Sequence, residues 1–371
     1  CVIVLNNIIN KQVATRRIRI VKYRGSSHGA DEYPFLIDEN GISILPLTSL
    51  GLDYPVTTKR ISTGIERLDM MLEGKGYYRN TSILISGMAG TGKSSIAASF
   101  AESACRRGER ALYFSFEEAP KQIIRNMRSI GIILEPWVKK GLLKFKTARS
   151  TTFGLEMHLA VIHKEVNDFE PNVVVIDTIS NLSSSAGEQE IKGLMSRMID
   201  FMKMRKITAL FTDLTHGGAS PVATESNISS LMDTWVLVRD IESQGERNRG
   251  IFVIKSRGMA HSNQIREFVL TDNGIDLIDV YVGPSEVLTG TARMTRDAEE
   301  KANRLLRDQE VLFKRRVLEN KRKAFEAQME KLRAEFMTEE EELKKSIEEA
   351  KLRDEAVQED RNRMGKTRGR D

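Results

Sequence analysis

The sequence has few of the residues that make disulfide scaffolds or transition-metal sites. Of its 371 residues, 2 are cysteine and 5 are histidine. The two cysteines, Cys1 and Cys105, exclude a secreted fold held by several disulfides and a zinc site built from cysteine ligands. The opening residues do not form a signal peptide. We therefore expect a cytoplasmic protein in a reducing compartment.

Long hydrophobic runs are also missing. No apolar stretch approaches the roughly 18–20 residues that a transmembrane helix needs, so the sequence predicts no membrane contact. Hydrophobic residues make up 40% of the chain and charged residues 29%, which allows a sizeable core and excludes a wholly disordered chain. The length predicts one large domain with an addition, or two domains. Because the first residue is Cys1 and not Met, we expect a piece of a longer protein.

A segment near the start of the chain recurs far downstream. Residues 22–28 (KYRGSSH) match residues 255–261 (KSRGMAH), and Phe and Asn-Gly-Ile follow both segments at the same spacing, always 233 residues apart. Ungapped identities at one offset indicate a tandem duplication. The predicted domains are a carboxyl-terminal remnant of an upstream copy (1–47), a linker (48–58), a complete copy (59–288) and a tail (289–371).

The last 77 residues, 295–371, have a different composition. About 41 of them are charged, with the two signs nearly equal, and hydrophobic residues recur at every seventh position. We expect a helix of about 60 residues, roughly 90 Å long, that forms a coiled coil or bundle between chains. A solvated single helix and a disordered tail are the alternatives. The two heptad lines are Leu318, Phe325 and Leu332, and Met329, Phe336, Leu343, Ala350 and Val357.

The strongest motif is a phosphate-binding loop at residues 87–94, GMAGTGKS. It matches GxxxxGK[ST], in which backbone N–H groups close around phosphate oxygens, and a predicted strand and helix flank it. We expect Lys93 to reach the β- and γ-phosphates of ATP and Ser94 to coordinate Mg²⁺. The predicted nucleotide-binding positions of the loop are Gly87, Gly90, Thr91, Gly92, Lys93, Ser94 and Ser95.

Two other predicted strands end in carboxylates. Asp177 ends the apolar run 173–177, and ligands of open α/β sheets lie at the carboxyl ends of strands, so it is placed to hold Mg²⁺. Glu117 and Glu118 end the run 111–116. Because adjacent residues point to different sides, we expect Glu117 to act as the general base and Glu118 as a helper and metal ligand. A helix-capping role is the alternative for each of the three acids.

Together with the duplication, these motifs resemble the KaiC family of circadian-clock ATPases and autokinases. Residues 66–69 (ERLD), 210–212 (LFT) and 265–268 (IREF) add to the resemblance, which covers residues 1–288. It implies an α/β, RecA-like P-loop NTPase domain with a mostly parallel twisted sheet, here followed by the long helical coiled coil. It also implies ATP and Mg²⁺ as cofactors and a hexameric ring of identical chains.

The resemblance further implies an autokinase and autophosphatase with slow ATPase activity. The family's adjacent phosphoacceptors match Ser229 and Ser230, the second being Ser where the cyanobacterial pattern has Thr. Thr224 matches a nearby threonine that can shuttle phosphate. Lys255 and Arg257 match a KxRG segment whose cations serve the ATP of the neighbouring subunit. Without the resemblance, the stretch around the serines is typical of a polar loop with a capping serine.

The tail departs from the family pattern. Cyanobacterial members carry a short tail captured by KaiA, and the heptad segment in its place argues against KaiA binding. We expect this tail to join two rings or to supply activation by itself. KaiB docks on the family's first domain, so a KaiB-like partner is expected only through the mostly absent upstream copy. The alternatives are a nucleotide-binding assembly protein and a RadA- or DnaB-like DNA-dependent ATPase, although no basic-aromatic stripe favours nucleic acid.

Overall fold

The computed structural model describes residues 1–10, 13–29, 31–38, 41–44, 54–149, 154–183, 188–215, 228–243, 246–282 and 287–368. The chain divides into a larger unit, residues 1–293, and a tail unit, residues 294–371. Among the described residues, no helix is long and apolar enough to cross a membrane.

The regular elements alternate between strands and helices through the middle of the chain. The strands are β1 (Val2–Asn10), β2 (Val13–Lys22), β3 (Tyr33–Asp38), β4 (Gly41–Ile44), β5 (Arg60–Ile61), β6 (Tyr77–Tyr78), β7 (Ser82–Gly87), β8 (Ala111–Ser115), β9 (Leu143–Thr147), β10 (Val173–Asp177), β11 (Thr208–Leu214), β12 (Thr234–Ser243), β13 (Glu246–Ser256), β14 (Arg266–Thr271), β15 (Gly274–Asp279), β16 (Tyr281–Val282) and β17 (Val287–Leu288). The helices are α1 (Glu66–Met71), α2 (Lys93–Arg106), α3 (Pro120–Arg128), α4 (Glu135–Lys139), α5 (Leu155–Phe169), α6 (Ser180–Ser183), α7 (Glu188–Met204) and α8 (Gly290–Arg368), and a 3-10 turn covers Ser229–Leu231.

Nine strands form the main sheet, in the order β15-β14-β13-β12-β7-β11-β10-β8-β9. The strands from β12 to β9 run parallel to one another. The strands from β12 to β15 are joined by antiparallel pairing. The mostly parallel sheet and the RecA-like fold that the sequence predicted are therefore present.

The central strands are buried on both faces, because helices cover both sides of the sheet. Successive side chains of a strand point to opposite faces. Ile83 and Ile85 of β7 pack on one face with residues of α2. Leu84 packs on the other face with residues of α5 and α7. Burial on both sides explains why these strands are continuous apolar runs without alternation.

The core also contains the buried cysteine and one of the two tryptophans of the chain. Cys105 in α2 is 1% exposed, and Trp235 in β12 is 7% exposed. The Trp235 Nε1 atom donates a 2.7 Å hydrogen bond to the Ser86 hydroxyl. The indole N–H therefore has a partner inside the sheet, which buried tryptophan normally requires.

A separate four-stranded sheet, β1-β2-β3-β4, repeats the pairing of β12 to β15. Val2 pairs with Lys22 and Trp235 pairs with Lys255, and the register shifts one residue later in both hairpins. Ile18 pairs with Tyr33 as Ile251 pairs with Arg266. Each pairing recurs 233 residues later, as the duplication predicts. The assignment of 1–47 as an upstream remnant stays a prediction, and most of the expected linker lies outside the described residues.

The tail is one continuous helix, α8, of 79 residues. At 1.5 Å per residue it is about 120 Å long, which exceeds the predicted length. Its heptad-line side chains are exposed in the single chain; Leu318 is 69% exposed and Met329 is 41% exposed. The helix prediction is confirmed for this segment, whereas its pairing with another helix stays a prediction.

Candidate active site

The phosphate-binding loop lies between the end of β7 and the start of α2. Gly90 and Gly92 have φ angles of +80° and +99°, which side chains with a Cβ atom rarely adopt. A Cβ atom on Gly87 would lie 2.3 Å from the Val238 carbonyl oxygen, and one on Gly92 would lie 2.6 Å from the Phe268 ring. The glycines are therefore fixed by backbone conformation and by close packing against β12 and β14.

Lys93 is the first residue of α2 and is buried. Its ammonium donates to the Gly87 carbonyl at 2.9 Å and to the Met88 carbonyl at 2.7 Å, so it lies across the loop. Ser94 follows and is half-buried. The first N–H groups of a helix carry partial positive charge and lack intrahelical acceptors. Loop, ammonium and helix start together fit the phosphates of a nucleotide.

Asp177 lies at the carboxyl end of β10, between two hydroxyl donors. The Tyr113 hydroxyl donates to Oδ2 at 2.7 Å, and the Thr212 hydroxyl donates to Oδ1. Burial, and next the charge of Asp177, raise the pKa of Tyr113 well above its usual value, so the phenol stays a donor. The two donors fix the orientation of the carboxylate, which suits a ligand of Mg²⁺ or of its bound water.

A second carboxylate lies nearby, at the end of β11. Asp213 is fully buried and accepts a 2.6 Å hydrogen bond from the Ser180 hydroxyl. The same hydroxyl oxygen accepts from the Leu214 N–H at 2.7 Å. The Thr215 N–H in turn donates to the Gly87 carbonyl at 3.2 Å. This chain of bonds ties the end of β11 to the start of the phosphate-binding loop.

Glu117 and Glu118 follow β8 and point in different directions, as expected for neighbours. Exposed Glu117 accepts a 3.0 Å bond from the Asn181 amide, and half-buried Glu118 accepts one of 3.0 Å from Asn126. Both glutamates line a cleft of about 560 Å³ that also holds Lys146. One acid therefore faces α6 and the other faces α3, so they can have separate roles.

The predicted phosphoacceptors and cations lie together, on the turn before β12 and the end of β13. Lys255 Nζ donates to the Ser229 carbonyl at 2.8 Å, and an Arg257 Nη atom donates to the Ser230 carbonyl at 2.7 Å. Ser229 is half-buried and Ser230 is exposed. Burial, and next the charge of Arg257, lower the pKa of Lys255. Thr224 lies outside the described residues.

The two serines and the two cations lie at the opposite end of the sheet from the phosphate-binding loop of their own chain. The Asp233 N–H donates to the carbonyl of Ser82, the first residue of β7, at 2.9 Å. The loop begins at Gly87, the last residue of β7. Five residues of strand span about 16 Å. Asp177 and Glu117 follow the carboxyl ends of their strands, so they share the edge of the loop and not that of the serines.

Some of these site residues could not be assigned from the sequence. Tyr113 and Thr212 stand in the sequence only as members of longer stretches, yet they hold Asp177 in place from the two strands beside β10. Asp213 and Asn181 belong to none of the sequence motifs. The available signal for Thr212 and Asp213 was their place at the end of an apolar run, which several other polar residues share.

The fold and the loop define a P-loop NTPase with a RecA-like sheet. The chain belongs to the KaiC family: the family model described as "ATPase: KaiC" matches residues 1–49 and 61–281. It is 47% identical over 370 residues to the "Circadian clock protein KaiC2" of Synechocystis sp., covering 99% of this chain and 65% of that protein.

Two further relatives carry the name "Circadian clock oscillator protein KaiC". The protein of Synechococcus elongatus is 36% identical over 309 residues, which is 82% of this chain and 59% of the relative. That of Thermostichus vulcanus is 37% identical over 292 residues, which is 78% of this chain and 56% of the relative. This chain thus spans between half and two thirds of the length of each of these relatives.

Proposed function

We propose that the chain is an ATP-dependent serine autokinase, with autophosphatase and slow ATPase activity, that works across subunit interfaces of a ring. The γ-phosphoryl group of ATP bound to one subunit passes to Ser229 or Ser230 of its neighbour. The observation that carries this proposal is the separation of the serines from the phosphate-binding loop along β7.

The separation argues against transfer within one chain. Reacting atoms must come within about 3–3.5 Å, whereas β7 alone separates the two groups by about 16 Å. The serine turn is joined to the start of β7 through Asp233 and Ser82, and the loop begins at the other end of that strand, so the buried strand holds the two groups apart. A ring removes the conflict, because the serine edge of one subunit faces the loop edge of the next.

The same arrangement gives Lys255 and Arg257 a function. They hold the carbonyls of the two serines, so cations and acceptors reach a neighbouring ATP as one unit. Positive charge near the transferring group stabilises the charge that spreads over its equatorial oxygens. In the proposed ring the two cations would lie at the ATP of the adjacent subunit, as the KxRG resemblance implies.

On the loop edge, Lys93 would hold the β- and γ-phosphates while Glu117 accepts the proton of the attacking hydroxyl. The serine oxygen forms a bond to the γ-phosphorus as the bond to the bridging oxygen of ADP breaks, and the hydroxyl proton passes to the carboxylate. Mg²⁺ held through Ser94 and Asp177 would neutralise phosphate charge. With water as the nucleophile, the same groups hydrolyse ATP, and water attacking phosphoserine gives the phosphatase.

No cluster of three or more metal-binding side chains occurs among the residues described. This suits Mg²⁺, which usually takes one or two protein ligands and completes its shell with phosphates and water. Glu118 is then best suited to a supporting role, because Asn126 holds it toward α3.

The curated relatives are named circadian clock proteins, and we extend that role to this chain as part of the proposal. The ring would contain six subunits, and its tails would join it to a second ring. A KaiB-like partner would act through the upstream domain. The DNA-dependent ATPase alternative is not favoured, because the family match points to clock proteins.

Phosphosite mass spectrometry on protein incubated with Mg·ATP tests the activity. We expect phosphate on Ser229 or Ser230, a loss of about 10²-fold or more in Glu117→Gln, and a smaller loss in Glu118→Gln. The two variants make the same chemical change at adjacent positions, so each controls for the other. ATP turnover without phosphate on either serine would contradict the kinase and leave a ring ATPase.

A further inference from the structure

The tail helix α8 exposes two apolar lines that occupy different halves of its length. Line d consists of 311 and every seventh residue after it, and line a of 329 and every seventh residue before and after it. Apolar residues of line d stop at Leu332, after which the line continues with Glu339. Those of line a begin at Met329, before which the line has Arg322. The apolar parts of the two lines overlap only between 329 and 332, near the middle of the helix.

We propose that α8 pairs with α8 of a second copy in antiparallel orientation, in the register where the numbers of facing residues add up to 661. In an antiparallel pair, the residues of line a on one helix face the residues of line d on the other. The half of each helix in which line d is apolar then faces the half of its partner in which line a is apolar. The apolar layers are Phe325 with Phe336, Met329 with Leu332, Leu318 with Leu343, and Val311 with Ala350.

Charge complementarity selects this orientation. In a parallel, in-register pair every core residue meets itself, so each charged core position would face a like charge. In the antiparallel register, opposite charges meet, and the desolvated pairs are compensated. The charged layers are Arg322 with Glu339, Asp308 with Arg353, and Lys301 with Asp360, and the mixed layers are Arg304 with Val357 and Arg315 with Ser346.

The neighbouring registers are worse. A register one heptad shorter, with a sum of 654, places Lys301 against Arg353. A register one heptad longer, with a sum of 668, places Asp308 against Asp360. Both registers set like charges against each other, which is unfavourable and which the register with a sum of 661 avoids. The charged residues thus fix the register, while the apolar residues supply the stabilisation.

This pairing connects chains of different rings. The first turn of α8 belongs to the larger unit, where the Gly290 N–H donates to Glu267 and an Arg293 Nη atom donates to the Asp279 carbonyl. In an antiparallel pair the two helix starts lie on the order of 100 Å apart. The inference deepens the proposed joining of two rings, but it does not depend on the kinase.

Disulfide trapping in the full chain tests the register. In a Cys1→Ser background, Leu318→Cys chains are mixed with Leu343→Cys chains and gently oxidised. We expect the mixed disulfide to dominate, because 318 and 343 face each other, whereas two copies of residue 318 lie roughly 37 Å apart. Val311→Cys mixed with Leu343→Cys is the matched control, one heptad out of register, and should give little product.

A charge swap between residues 322 and 339 is a second test of the register and needs no cross-link. Arg322→Glu and Glu339→Arg should each lower the assembled mass measured by light scattering, and the double variant should restore it. In a parallel, in-register pair like charges meet at both positions in the wild type and in all three variants, so the variants should not differ from the wild type in assembled mass. Both experiments are repeated in a Lys93→Ala background, which removes the lysine of the phosphate-binding loop. The pairing result can then be interpreted even if the catalytic proposal fails.

The outcomes separate clearly. The mixed disulfide together with rescue by the double variant supports the antiparallel register. A dominant Leu318→Cys homodisulfide shows parallel pairing and overturns the inference. No disulfide in any mixture, with an assembled mass unchanged by Phe325→Glu, shows that α8 has no paired seam and overturns it as well.

Discussion

The two copies of the antiparallel sheet, β1–β4 and β12–β15, have the same register but different surroundings. Val236 and Val238 in β12 are fully buried, whereas their counterparts Ile3 and Leu5 in β1 are 53% and 55% exposed. β12 lies between β13 and β7, while β1 forms an edge of its sheet in the described structure. Register is therefore encoded within the hairpins, and burial depends on the neighbouring parallel strand.

The copies agree at the third strand of each sheet. Phe35 and Phe268 occupy equivalent positions and are 3% and 2% exposed. Each lies in a third strand: β3 contacts α5 of the complete copy, and Phe268 packs with residues of α2. The difference between the copies thus begins at the edge that meets β7. That edge also carries the serine turn, because Asp233 binds Ser82 of β7.

The largest contrast between the copies should appear in catalysis. Lys255→Ala should reduce transfer to Ser229 and Ser230 by about 10³-fold, because a cation at the transferring phosphoryl is lost. Lys22→Ala removes the equivalent lysine of the first sheet and should leave transfer unchanged. Rates of phosphoserine formation measure both. Equal losses in the two variants would show that the two copies serve the same site.

Acid should weaken the packing of α5, which contacts both the first sheet and the core of the main sheet. Buried His163 in α5 stacks on Phe201, and burial, followed by the charge of Arg205, lowers its pKa to about 4. As pH falls from about 6.5 to 4, the unfolded chain takes up the proton first, so the folded state loses up to about 3 kcal/mol. Urea unfolding followed by fluorescence of Trp235 and Trp137 measures this loss.

His163→Gln is the control for the acid effect, since it keeps a neutral polar group in α5. The variant should be less stable at pH 7 and should lose less stability between pH 6.5 and 4. An unchanged pH slope in the variant would show that another group causes the acid sensitivity.

At neutral pH, the loss of stability on truncating a side chain to alanine should increase with the burial of that side chain. Val236→Ala should cost about 2 kcal/mol, because it opens a cavity in the core of the main sheet. Ile3→Ala removes more carbon atoms but should cost less than about 1 kcal/mol, because the side chain is half exposed. Unfolding midpoints in urea measure the pair. A larger effect at Ile3 would mean that the first sheet contributes more to stability than its burial indicates.

The smallest effect concerns Asp177. Tyr113→Phe removes one hydrogen bond to the carboxylate and should cost about 1 kcal/mol, or roughly fivefold in ATP turnover at limiting Mg²⁺. Tyr23→Phe, at an exposed tyrosine just after β2, should have no effect. If added Mg²⁺ does not restore the Tyr113→Phe rate, the phenol acts on the fold and not on the metal ligand.

Local sequence patterns predicted the elements that the site needs. The strand, loop and helix around Lys93 form a continuous motif, and Asp177 ends a run that can only be a buried strand. The partners of Asp177 could not be predicted, because Tyr113 and Thr212 reach it only in the strand order β8-β10-β11. That order is set by packing of the whole sheet. Likewise, periodicity predicted α8 but left its partner open.

The separation of the acceptors from the loop of their own chain is the central claim, and subunit mixing tests it most directly. One chain carries Lys93→Ala with intact serines, and the other carries Ser229→Ala and Ser230→Ala with an intact loop. Neither should gain phosphate at these positions alone. After mixing with Mg·ATP, we predict phosphate on Ser229 or Ser230 of the Lys93→Ala chain. No phosphate in mixed rings, with wild-type chains phosphorylated in parallel, would contradict transfer between subunits.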